Sequence, residues 1–229
     1  KEEIKDLIES DKMKVWLTKR HGRRVEYIFK VGSEQFSPPI EVASAGDYLL
    51  FAQGVDEEVE NEKLEFSFKN DRLTIKYSGG ALNDIDLNLK ITVPQLTYIE
   101  AKHGVQIRVS DDFQFMKEGI AFQSYSGGKI LATSNKASWL KASVNQGGSI
   151  RIKGETILAD FSIKTGGTIG AANLKANKVN AEVTMGGEII CKPIELLDAK
   201  VTSGGTISYI GEPKKIKEKT RLGGTIEKI

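Results

Sequence analysis

A pair of glycines recurs through the second half of this chain at a nearly constant interval, and that interval limits what the chain can fold into. The pairs are Gly127-Gly128, Gly147-Gly148, Gly166-Gly167, Gly186-Gly187, Gly204-Gly205 and Gly223-Gly224, spaced 20, 19, 20, 18 and 19 residues apart. Two residues after each pair stands an isoleucine: Ile130, Ile150, Ile169, Ile189, Ile207 and Ile226. Before the pairs, apolar residues alternate with polar ones, as in Leu140, Ala142, Val144 and in Val179, Ala181, Val183. Alternation of period two marks a strand with one buried face. A unit of about 19 residues is too short for a helical-hairpin repeat and suits one coil of a parallel β-solenoid, in which like residues stack in columns. The expected fold is therefore all-β. It predicts one buried column of Ile150, Ile169, Ile189 and Ile207, and a second of Val144, Ile163, Val183 and Val201.

The glycines fit corners, where positive φ or a close chain approach excludes a Cβ. A phosphate-binding glycine loop would need a following lysine or helix; here isoleucine and another strand follow. The first half is an irregular β-rich part. Ile4, Leu7 and Ile8 fall at helical spacing and predict a short helix over Glu2 to Ser10. Met13 to Leu17 and Val25 to Val31 predict a hairpin around His21-Gly22. Leu64 to Phe68, Leu73 to Tyr77 and Ile85 to Val93 predict strands, with a turn at Asn70-Asp71.

Composition adds little about partners, since the net charge is only +2 across 229 residues. The basic run Lys19 to Arg24 and the acidic run Asp56 to Glu62 read as solvated turns. No motif points to nucleic acid, and no apolar run reaches the ~18 residues that cross a bilayer as a helix. The chain begins Lys-Glu-Glu without an initiator Met or an apolar leader, which reads as a mature or trimmed form. Its one cysteine, Cys191, falls in register with Ile152, Ala171 and Tyr209, so it is expected to be a buried, inert thiol.

Several stretches in fixed order carry a family resemblance. They are Asp71-Arg72-Leu73-Thr74-Ile75-Lys76-Tyr77, Ile91-Thr92-Val93-Pro94-Gln95-Leu96, the Ser-Gly-Gly-Thr-Ile corner, and Gly211-Glu212-Pro213-Lys214-Lys215 through Leu222-Gly223-Gly224-Thr225-Ile226. Over about residues 40–229 the chain resembles the putative auto-transporter adhesin, head GIN domain family. It departs from that pattern at the corners, where the family often has Ser-Gly-Ala-Ser. The resemblance implies a β-helical domain of secreted or surface-attached proteins, with no catalytic residues to carry over. On this reading residues 1–35 are an N-terminal extension of short helix and hairpin, and 36–229 form the GIN-type solenoid domain.

Chemistry-bearing clusters are sparse. His21 and His103 are the only histidines, and His103-Gly104-Val105-Gln106-Ile107 reads as a degenerate corner of the repeat. Asp84/Asp86 and Asp111/Asp112 are spaced like metal ligands but also like turns. A solenoid enzyme must project carboxylates from neighbouring coils onto one patch, and no outward column near the corners is expected to carry two acids. Trp139, Phe161 and Tyr209 read as core or cap residues, leaving few aromatics to stack on sugars. The position after each Gly-Gly forms a candidate surface ladder: Ser149, Thr168, Glu188, Thr206 and Thr225, with Lys129 at its head. The expectation is a non-catalytic extracytoplasmic adhesin or scaffold that binds glycan or a surface protein, with no cofactor and no metal. The alternatives are a self-assembling β-helix module, a homo-oligomer through its ends, and a pectinase-like enzyme. The lysines of Lys214 to Arg221 argue for a charged, non-polymerising end.

Overall fold

The computed structural model describes residues 96–109 and 118–229 continuously, and before them the backbone of seven strands. The chain forms two compact units, Lys1–Pro94 and Gln95–Ile229. The described solenoid coils lie in the second unit.

Among the described residues of the first unit every pairing is antiparallel. Strands β1 (Glu3–Ser10), β2 (Met13–Arg20) and β3 (Arg23–Lys30) form one sheet in that order, and β4 (Leu49–Gln53) pairs with β7 (Asn88–Thr92). β5 (Leu64–Lys69) pairs with β6 (Arg72–Tyr77). The hairpin read from Met13 onward is thus present, and so is the Leu64/Leu73 pair of strands. The turn residues His21, Gly22, Asn70 and Asp71 lie outside the described residues, as do Asp84, Asp86, Asp111 and Asp112. The helix expected over Glu2 to Ser10 is a strand instead. Eight residues are too few to hold an isolated helix in water, and the neighbouring β2 offers an edge to which Ile4 pairs through Leu17.

The second unit is a parallel β-solenoid. Its strands are β8 (Tyr98–Ala101), β9 (Gln106–Arg108), β10 (Gly119–Tyr125), β11 (Lys129–Asn145), β12 (Ser149–Thr165), β13 (Thr168–Met185), β14 (Glu188–Ser203), β15 (Thr206–Tyr209), β16 (Lys215–Thr220) and β17 (Thr225–Lys228). Each coil has a first leg after a glycine corner and a second leg leading into the next corner. The long strands β11 to β14 run through both legs, with register slips between one corner and the next. Those slips absorb the uneven repeat length.

Both predicted columns exist. Ile130, Ile150, Ile169, Ile189 and Ile207 pair in register and are buried, as are Val144, Ile163, Val183 and Val201. Each fully buried isoleucine contributes about 2–3 kcal/mol of apolar transfer. A further buried second-leg column runs Phe122, Ala142, Phe161, Ala181 and Ala199, in which each phenylalanine is followed by an alanine in the next coil.

The two glycines of a corner answer different needs. At Gly147 (φ 76°) and Gly204 (φ 63°) the backbone is left-handed but a Cβ would meet nothing within 4 Å. At Gly148 a Cβ would stand 2.5 Å from Ser124 Oγ, and at Gly167 2.5 Å from the Gly148 carbonyl oxygen. The first glycine supplies conformation; the second admits the preceding coil and, at Gly167 (φ 110°), Gly187 (φ 104°) and Gly205 (φ 93°), is itself at positive φ. Corner hydrogen bonds then carry the ladder around the turn, as from Thr168 N to Gly148 O (3.0 Å) and Glu188 N to Gly167 O (3.0 Å).

Candidate binding faces of the solenoid

Because coils stack in register, each outward position becomes a row of side chains along the solenoid axis. The expected ladder is such a row: Ser149, Thr168, Glu188, Thr206 and Thr225 are successive partners, continuing from Lys129. Thr168 Oγ1 donates to Ser149 Oγ at 3.0 Å, so part of the row's hydrogen-bonding capacity is spent within it.

The second-leg outer face carries more varied chemistry. One row runs Tyr98, Ala121, Lys141, Asp160, Asn180, Asp198, Lys217. Its neighbour runs Glu100, Gln123, Ser143, Ser162, Glu182, Lys200, Lys219. Asp160 and Asp198 therefore share a column, one further from the corner than those expected to lack paired acids. The phase fixed by the buried Leu140, Ala142 and Val144 already places Lys141, and hence Asp160 and Asp198, outside. The two aspartates stand two coils, roughly 10 Å, apart with Asn180 between them. Each acid has a partner on this face. Asn180 Nδ2 donates to Asp160 (2.5 Å), Lys200 Nζ to Glu182 (2.5 Å), and Lys217 Nζ lies 3.5 Å from Asp198. An open depression of about 340 Å³ runs over these rows, lined by Lys141, Asp160, Asn180, Glu182, Asp198 and Lys200. Among the described residues, no three His, Cys, Asp or Glu side chains converge as a metal site.

The opposite end of the same face is aromatic. Tyr98 Oη and Tyr125 Oη both donate to Gln123 Oε1, at 2.9 and 2.8 Å. Lys102 Nζ lies 5.4 Å from the Tyr125 ring centroid and 2.8 Å from Glu100. Trp139, expected in a core or cap position, is instead 42% exposed, while Phe161 and Tyr209 are buried as expected. Trp139 pairs with Gly119, and its indole occupies the space that a Gly119 Cβ would need. Phase counted back from the corners would have found Gln123, Tyr125 and Trp139.

The remaining candidates are structural. His103 (φ 52°) and Gly104 (φ 78°) form a corner of the first described coil, from which Gly104 N donates to Ser126 O at 3.2 Å. Cys191 is fully buried opposite Tyr209, and burial pushes its thiol from an ordinary 9.0 up to about 12, so it stays protonated and unreactive at neutral pH.

A family model for the putative auto-transporter adhesin, head GIN domain, matches residues 55–213. The chain belongs to this GIN domain family. Solved structures share the domain's fold. A putative adhesin from Bacteroides fragilis is 24% identical over 82% of this chain and 85% of its own, with a TM-score of 0.61. A putative adhesin from Parabacteroides distasonis is 19% identical over 73% and 79%, with a TM-score of 0.61. A putative lipid binding protein from the same species is 16% identical over 81% and 98%, with a TM-score of 0.54. No curated protein matches the GIN domain chain. Among the described residues, no helix is long and apolar enough to cross a membrane.

Proposed function

We propose that this GIN domain is a non-catalytic, extracytoplasmic surface domain of adhesin type, which holds its partner along the outer faces of its stacked coils. The family match over residues 55–213 carries the reading. The arrangement of side chains supports it. The acids of the second-leg face are engaged with Asn180, Lys200 and Lys217, so none is left as a free pair of acid and base for hydrolysis. The core columns are filled by side chains rather than by a ligand cavity. What faces outward is a regular array of donors and acceptors, suited to many weak contacts spread over several coils.

The test is adhesion and turnover measured together. Purified protein should be retained on mucin-coated and bacterial-cell surfaces, and should release no product from acidic or neutral polysaccharides with or without Ca²⁺. Product formation that disappears in Asp160→Asn or Asp198→Asn would replace this reading with an enzyme. Fractionation of the native host should place the protein outside the cytoplasm; recovery from cytosol alone would refute that part.

A further inference from the structure

We propose that the second-leg outer face around Trp139 and Gln123 is a glycan-binding platform for an extended polysaccharide chain that crosses the coils between these two residues. The proposal rests on the adhesin reading above and names its face and ligand class. It relocates recognition from the Ser149–Thr225 ladder to the opposite leg of each coil.

Three observations converge. First, the Trp139 indole lies against Gly119, whose missing side chain makes room for it, and yet the residue remains 42% exposed. A tryptophan held in place with much of its surface open offers an apolar platform, and the C–H faces of a pyranose ring stack on such platforms. Second, Gln123 stands one coil away on the same face, its carboxamide oxygen fixed by two tyrosine hydroxyls. That arrangement directs the amide N–H groups away from the tyrosines and preorganises them as donors. Third, Lys141, two residues from Trp139 on the same outward face, lines the neighbouring depression together with the charged and amide groups of Asp160, Asn180 and Lys200. Isolated aromatics set among donors and acceptors match a ligand whose surface alternates C–H patches with hydroxyls. A protein partner would more often be met by a contiguous apolar centre.

The full chain should be run by affinity electrophoresis in gels containing mixed-linkage β-glucan, xyloglucan, amylose or gastric mucin. At least one should retard it, and Trp139→Ala should weaken that retardation at least tenfold, with Trp139→Tyr recovering most of it. Gln123→Ala should also weaken it, whereas Ser149→Ala and Thr206→Ala should leave it unchanged. Circular dichroism on each variant separates lost binding from lost folding; should Trp139→Ala unfold, Gln123→Ala and Trp139→Tyr still decide. Retardation by none of the four, or binding unchanged in the folded Trp139→Ala or Gln123→Ala protein, overturns the platform. Periodate treatment of a mucin-coated surface distinguishes the two readings. Adhesion that survives glycan oxidation sinks the glycan platform and leaves adhesion standing; no adhesion to untreated surfaces sinks both.

Discussion

An interior coil such as β12 and the last coil, β16 with β17, share one register and differ in what fills it. In the interior, the inward positions are Ile150, Ile152, Phe161 and Ile163, all buried. In the last coil, Glu218 takes the column of Ala199, Thr220 that of Val201, and Lys228 that of Tyr209. Lys228 pairs with Glu212, and Ile216, Leu222 and Ile229 are largely exposed. Repetition of the apolar columns explains why coils stack, and Glu218, Thr220 and Lys228 interrupt those columns. A charge pointing into the column makes the solenoid end a poor template for a further strand. The lysines of Lys214 to Arg221 were expected to do this, but Lys215, Lys217 and Lys219 lie in outward rows. The inward Glu218 and Lys228 are better placed to block addition.

The largest effect should separate the two coils directly. Ile169→Asp buries an unpaired charge between two covering coils and should cost more than about 4 kcal/mol, abolishing the cooperative urea transition followed by circular dichroism. Ile226→Asp, in the same column but with no coil beyond it, should cost about 1 kcal/mol. Equal effects would mean that the last coil is as enclosed as the others.

A smaller difference should appear within one corner. Gly148→Ala pushes a methyl group toward Ser124 Oγ, which is itself bonded to Gly128 O at 2.5 Å, and should cost about 2–3 kcal/mol. Gly147→Asn retains a residue tolerant of left-handed backbone in open space and should cost less than about 1 kcal/mol. Urea midpoints of the two variants, compared at equal m-values, check the order.

The mildest change in stability should carry a change in association. Replacing Glu218 and Lys228 by leucine restores apolar columns at the open end and should produce concentration-dependent oligomers by light scattering. Lys217→Ala, in the outward row, should leave the association state as it is in the unmodified chain. Oligomers formed equally by Lys217→Ala would return the blocking role to the outward lysines.

The sequence made the solenoid legible because six glycine pairs and six isoleucines fix the phase of the first leg independently of coil length. The two predicted columns followed from that phase alone. The outer face was harder to read because the slips between Asn135 and Ala137, and between Gly170 and Lys175, fall between one corner and the next. On the second leg, positions keep their register across coils when counted back from the following corner, and on that count Asp160 and Asp198 align. Trp139 was misplaced because its phase has to be counted back from the Gly147 corner, which puts it outward two residues before Lys141. The helix expected at Ile4, Leu7 and Ile8 failed for a different reason: pairing with β2 outweighs a periodicity eight residues long.

Hydrogen exchange resolved along the chain tests the stacked-coil account most directly. Backbone amides of residues 149–203, covered by a coil on both sides, should exchange orders of magnitude more slowly than those of residues 215–229, with protection falling at the last coil. Uniform protection from residue 149 to residue 229, or rapid exchange at Ile150, Ile169 and Ile189, would contradict a parallel solenoid that ends at an open, polar-filled coil.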